Sequence, residues 1–278
     1  MYRVDLHTHT RFFHGRRDLG DRFDPIGHRV LARLAERRGL DGIATTNHDY
    51  YTRFGPAAVA SIPGIEISTD RGHVLVIGPD PPTETEPKEL SPGEAVDLAH
   101  DRDCAAVVAH PFRNSTVRDV DDVPFDAIEV NGKHPRSLPL VEKLAEVRDL
   151  PLIGGSDAHY PFEVGRAYTR IETDDLTPRA VVDAIRAGDV DFAIERGRAD
   201  RLLRQLYRRV HHRKGVADDF GDLGPTPGVG RPPAEAEGVE ADPIEAGDVD
   251  RTRTDGADRT QADGSERTST DGRERVTD

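Results

Sequence analysis

The first residues with chemical potential stand at the start of the chain, in Asp5-Leu6-His7-Thr8-His9. In an extended segment, side chains two apart share a face, so His7 and His9 can grip one ion from a strand end. His14 follows, just before Gly15. Asn47-His48-Asp49, Glu66, His73, His110 before Pro111, and Ser156-Asp157-Ala158-His159 complete the series. The last of these repeats the i, i+2 spacing of the first. Seven of the twelve histidines, with Glu66 and Asp157, thus fall at strand ends or strand starts. One histidine in such a place is ordinarily a satisfied polar group. Nine ionisable groups at one end of a sheet would be costly to bury unless cations compensated them, and the pattern predicts a metal centre.

The sequence between these residues supplies the elements that must position them. YRVDLH, GIATTNH, GIEIST, HVLVIG, CAAVVAH, AIEV and LIGGSDAH are short apolar or β-branched runs that end in polar residues. Segments 25–38, 92–101, 138–148 and 178–187 show helical periodicity, several with proline in the first turn. Alternating β and α segments predict a largely parallel sheet, open or closed into a barrel. Functional residues of parallel barrels gather at the carboxyl ends of the strands, where this set falls. No GxGxxG or GxxxxGK[ST] run is present, which argues against a dinucleotide-binding or P-loop protein.

The ordered set Asp5-Leu6-His7-Thr8-His9, Asn47-His48-Asp49, Gly64-Ile65-Glu66, His73, His110-Pro111 and Gly155-Ser156-Asp157-Ala158-His159 resembles the PHP (polymerase and histidinol phosphatase) superfamily. The resemblance runs from Tyr2 to about Arg196, and Gly165-Arg166-Ala167 continues it after the last motif. It implies an α/β fold, a distorted (β/α)7 barrel with two or three divalent ions in its mouth. By that likeness His7 and His9 would hold a first ion with Glu66 and Asp157. Glu66 would bridge to a second on His73 and His110, and His14, His48 and His159 would hold a third. His14 stands where the commonest family pattern has an aspartate before the glycine. A site made only of imidazoles favours zinc, iron or manganese over magnesium.

Such a centre supports hydrolysis at phosphorus. Divalent ions lower the pKa of a bridging water to give a hydroxide nucleophile, and they neutralise the phosphoryl and leaving oxygens. Glu66 and Asp157 are the expected catalytic carboxylates, and Asp5 and Asp49 are expected to orient imidazoles through the second ring nitrogen. Arg113, Lys133 and Arg166 are the candidate phosphate contacts, Arg113 counting also among the catalytic residues. The remaining histidines (His28, His100, His134, His211, His212) are assigned to surface or helix positions. The expected activity is a metal-dependent phosphoesterase acting on a small phosphate monoester, a metabolite or a nucleotide. The alternative is a nuclease of the same family acting on DNA or RNA ends. Histidinol phosphatase specifically, an amidohydrolase-type C–N hydrolase and a non-catalytic metal-binding protein rank lower, and oligomeric state is not legible.

Composition bounds the rest. The 278 residues carry a net charge of −14 and a single cysteine, Cys104, which excludes an intramolecular disulfide and any multi-cysteine zinc module. Only four of the 38 basic residues are lysines. An acidic, arginine-rich chain fits a salt-rich (halophilic) cytoplasm, and a GC-rich genome gives the same bias. No apolar run reaches the roughly 18–20 residues of a membrane span, and the expectation is a cytoplasmic protein with no membrane partner. Residues 215–278 hold 17 acidic and seven basic residues with almost no aliphatic periodicity, and they read as a disordered tail. Residues 197–214 read as a basic amphipathic helix, and 1–196 as the metallophosphoesterase barrel. The basic helix leaves nucleic acid as a possible partner, disfavoured by the overall charge.

Overall fold

The computed structural model describes residues 1–12, 20–113 and 115–195; His14, the 197–214 helix and the 215–278 tail lie outside these. The described chain runs β1 (Tyr2–Thr8), α1 (Gly20–Arg37), β2 (Gly42–Thr45), β3 (Ala60–Thr69), β4 (Gly72–Ile77), α2 (Pro92–His100), β5 (Ala105–Val108) and β6 (Ala127–Asn131). It continues through α3 (Leu138–Arg148), β7 (Leu152–Gly155), β8 (Ala167–Ile171), α4 (Pro178–Ala187) and β9 (Val190–Ile194). No helix among the described residues is long and apolar enough to cross a membrane.

The nine strands form one sheet in the order β7-β6-β5-β4-β3-β2-β1-β8-β9. Strand pairs β1–β2, β2–β3, β5–β6 and β6–β7 are parallel, as expected from the βα alternation. Pairs β3–β4, β4–β5, β1–β8 and β8–β9 are antiparallel. A largely parallel sheet is therefore corrected to a mixed one. The cause lies in the connections: Asp70 and Arg71 join β3 to β4 in a hairpin too short for a crossover helix, which parallel strands require.

The sheet curls until β7 meets β1 and β8. The Thr169 hydroxyl donates to the Gly154 carbonyl at 3.0 Å and accepts from the Gly154 amide at 2.9 Å. His9 N donates to Ala158 O at 3.0 Å across the same seam. A side chain on Gly154 would collide with the Tyr168 carbonyl, so the seam closes only with glycine there. The result is a nearly closed, barrel-like sheet.

Alternation along the strands sorts the side chains. Ile65, Ile67, Val74, Val76, Ala106, Val108, Ile128 and Val130 pack under α2 and α3, with Val96, Leu144 and others. Glu66 and Glu129 stand on the opposite face, each with no exposed surface. Helix α2 begins as the sequence dictates, with Ser91 and Glu94 forming a capping box around Pro92. Helix α1 starts earlier than its periodicity predicts, at Gly20, and carries Pro25 inside it.

Candidate metal centre

Four strand ends, one strand start and the interior of β3, which carries Glu66, deliver the clustered residues. His7 and His9 come from the end of β1, and His48 from the loop after β2, where it bridges to Glu66. Glu66 N donates to Asn47 O at 3.1 Å and Asp49 N to Glu66 O at 2.9 Å, so backbone bonds fix that loop against β3. His73 opens β4, His110 follows β5, and Asp157 and His159 follow β7. Asp49, His110 and Asp157 have positive φ (59°, 27° and 51°), a conformation L-residues rarely adopt without surrounding constraint.

Glu66 is the hub. Its Oε2 lies 3.2 Å from His7 Nε2, 3.2 Å from His9 Nε2 and 3.1 Å from His48 Nδ1. Its Oε1 lies 2.7 Å from His73 Nδ1 and 2.9 Å from His110 Nε2. Asp157 faces the cluster from the other side, with Oδ1 3.0 Å from His159 Nδ1 and 3.3 Å from His9 Nε2. Its Oδ2 accepts from Arg113 Nη1 at 2.7 Å and lies 3.3 Å from Lys133 Nζ.

The electrostatics follow from this crowding. Despite complete burial, the surrounding imidazoles hold the Glu66 carboxyl well below its ordinary range. Lys133 and His159 do the same for Asp157. Burial pushes the His48 and His159 imidazoles down to about 4, and lowers that of His9. Neutral imidazoles keep lone pairs for coordination. The donor set fits divalent cations: His7, His9 and Glu66; His48, Glu66 and His73; and His9, His48 and His159 each bring three ligand atoms within 4.8 Å of one another. His7 Nε2 and His9 Nε2 lie only 3.1 Å apart. Both lone pairs are satisfied if a cation takes them together.

The comparisons with known proteins bear on the fold that carries this cluster. A model of the PHP-associated family matches residues 135–190. In the solved structure of PsfC from Pseudomonas syringae, the superposition gives a TM-score of 0.58 at 21% identity, over 76% of this chain and 99% of that one. A two-domain protein of Bacteroides vulgatus, containing a predicted PHP-like metal-dependent phosphoesterase, gives a TM-score of 0.50 at 19% identity, over 74% of this chain and 69% of that one. The chain has the fold of the PHP superfamily. An uncharacterized protein of Methanocaldococcus jannaschii is 28% identical over 162 residues, 51% of this chain; the match spans 65% of that relative's length.

Within the PHP fold, the structure brings His7, His9, His48, Glu66, His73, His110, Asp157 and His159 into one cluster. Asp5 and Asp49 do otherwise than expected. Asp5 Oδ1 accepts from the amides of Ser156 (2.9 Å) and His7 (3.3 Å), and Oδ2 from that of Gly165 (2.7 Å). Asp49 accepts from Ser68 N, Ser68 Oγ and Thr85 Oγ1. Both carboxylates are drawn to backbone and hydroxyl donors beside them, so they hold loops rather than rings. The imidazole-orienting role falls instead to Glu129, whose Oε1 lies 2.8 Å from His7 Nδ1.

Arg166 also departs from expectation. It is buried, lies 3.4 Å from Glu163 and stacks toward Phe162, so its charge is spent inside the fold. Glu163 in turn accepts from the amides of His159 and Tyr160 at 2.8 and 2.9 Å. His28 lies in α1, one of the positions expected for it, and is buried there, stacked on Phe54 with Nε2 3.0 Å from Ser61 Oγ. His134 lines a small cleft with His110, Arg113, Glu129 and Asn131, and burial beside Arg113 pushes its imidazole down to about 3. The sequence does carry a signal for Glu129: like Glu66 in GIEIST, it is a lone carboxylate inside an apolar strand run, AIEVN.

Proposed function

We propose that this protein is a metal-dependent phosphoesterase that releases phosphate from small phosphate monoesters. One observation carries the reading. A fully buried carboxylate, Glu66, gathers five imidazoles on its two oxygens, and two cationic side chains stand on the neighbouring Asp157. In the proposal His7, His9, Glu66 and Asp157 would hold one divalent ion, and Glu66, His73 and His110 a second. His48 and His159 would join a third, for which the sequence also offers His14. Imidazole-rich coordination selects zinc, manganese or iron. Ions bound there supply Lewis acidity at the phosphoryl oxygens and an activated water.

The chain's own residues do the rest. Arg113 is about two-fifths exposed at the side chain, and Lys133 is more covered. Both reach Asp157 Oδ2 and so stand beside the cluster, where a phosphate's outer oxygens would meet them in charge-assisted hydrogen bonds. Burial of His7, His9, His110 and His159 limits the water that competes for their lone pairs, while His48 and His73 face the solvent side.

The test is a hydrolysis panel with added zinc, manganese or iron. It spans p-nitrophenyl phosphate and its bis-ester, histidinol phosphate, nucleoside mono- and bisphosphates, and labelled single-stranded oligonucleotides. Phosphate release from small monoesters supports the proposal. Cleavage of oligonucleotides alone replaces it with the nuclease reading.

A further inference from the structure

The carboxylate of Glu129 touches two different parts of the cluster at once. It sits in the middle of β6 with no exposed surface. Oε1 lies 2.8 Å from Nδ1 of His7, and Oε2 accepts from the backbone amide of His110 at 2.7 Å. The Asn131 amide nitrogen lies 3.3 Å from both oxygens and donates into the same carboxylate. The pocket for this carboxylate is built by glycine: a Cβ on Gly155 would stand 2.5 Å from Glu129 Oε1 and 2.5 Å from the His7 Cβ.

Each contact does a separate job. An acceptor on His7 Nδ1 keeps the proton on that nitrogen and leaves Nε2 bare, and Nε2 is the atom that faces His9 and Glu66 Oε2. The amide bond to His110 restrains a residue whose φ is 27°, and the ring of that residue turns Nε2 to Glu66 Oε1. His7 and His110 therefore lie on opposite oxygens of Glu66, with Glu129 behind both.

We propose that Glu129 is a positioning residue that couples the two ion sites on either side of Glu66. It fixes the ring orientation of His7 for one and the backbone turn of His110 for the other. This rests on the metal-centre reading above. Replacing Glu129 by glutamine keeps the shape but puts an NH2 group against one of two donors, so both contacts cannot survive together. The loss should therefore reach both sites, although Glu129 contacts neither ion.

The experiment is zinc titration calorimetry on full-length wild type and Glu129→Gln, each first stripped with chelator, with metal content measured after dialysis. Thermal melting of the metal-free proteins accompanies it. The proposal expects wild type to bind at least two zinc ions, and Glu129→Gln to keep a cooperative but somewhat lowered melt without metal, because one buried donor loses its acceptor. It expects the variant to bind both of its tighter zinc ions at least about tenfold more weakly. A variant weakened at only one ion, or at none, overturns the coupling while leaving the metal centre intact. Wild type that binds no zinc overturns the metal-centre reading and this one with it. A second measurement needs no variant: nitrogen-15 spectra of zinc-loaded wild type should show His7 protonated at Nδ1. Zinc on Nδ1 of His7 would overturn the assignment, however the variant folds.

Discussion

Arg113 and Asp157 form the closest cation–carboxylate contact at the cluster, 2.7 Å from Nη1 to Oδ2, while the other oxygen of that carboxylate faces His9 and His159. One carboxylate thus has an imidazole side and a cation side. Arg113 is held next to the site by a residue of the site itself, which places a preorganised positive charge where a phosphate would arrive.

From this geometry Arg113→Ala should raise KM for a phosphate monoester. A charge-assisted hydrogen bond contributes about 1.5–3 kcal/mol, so the rise should be roughly 10- to 100-fold in KM or kcat/KM. Zinc content should not change. Steady-state kinetics beside metal analysis checks both halves, and loss of metal in this variant would assign Arg113 to the architecture of the cluster instead.

Asp157→Asn removes the charge that His9, His159, Arg113 and Lys133 share. Turnover should fall by at least about 100-fold, and metal affinity should fall with it. Phosphate release at wild-type rates from this variant would exclude Asp157 from the chemistry.

Asp5→Ala should act on the fold before the chemistry. It strips the acceptor from three amides, those of His7, Ser156 and Gly165, which tie β1 to the segments after β7. Leaving buried donors unsatisfied costs about 1–3 kcal/mol each, with incomplete additivity. Urea denaturation should show a loss of at least about 2 kcal/mol. A neutral result would mean that those amides find other acceptors.

The metal-free protein should lose stability as pH falls from 6.5 toward 4. Folding pulls His28, His48 and His159 down to about 4 and His134 to about 3, from an ordinary value near 6.5. Across that window the unfolded chain takes up protons the folded chain refuses, so acid favours unfolding. Asp5 opposes this, since burial raises its carboxyl to about 6 and it gains its proton earlier when folded. His7 and His73, held above their ordinary range by the carboxylates beside them, oppose it too, but only near pH 6.5, where their unfolded forms take up protons. Glu66 and Asp157, held well below theirs, add to the acid loss toward pH 4, so the lowered groups prevail. Chelator-treated protein should melt lower at pH 4.5 than at pH 7, and an equal or higher melting point would contradict the sign.

The sequence makes the cluster legible because its members announce themselves. His7/His9 and Asp157/His159 repeat an i, i+2 spacing, and Glu66 interrupts an apolar strand. The apolar runs likewise mark β1 to β7, and α3 and α4 fall on their periodicity. Strands β8 and β9 go unmarked, since AYTRI and VDFAI are short, polar at intervals and deliver no cluster residue. The roles of Asp5 and Asp49 are misread from sequence because adjacency to a histidine says nothing of which donor is nearest in space. Glu129 reaches His7 across 122 positions of sequence, a distance no local spacing encodes. Arg166 looks like a free cation until Glu163, buried beside it, takes its charge.

The most direct test of the central claim is phosphate release from p-nitrophenyl phosphate by full-length protein under three conditions: as purified, stripped by chelator, and reloaded with zinc or manganese. A metal-dependent phosphoesterase shows activity that vanishes on stripping, returns on reloading, and never appears in Asp157→Asn. Activity that survives complete removal of metal, or that Asp157→Asn retains, would contradict that claim.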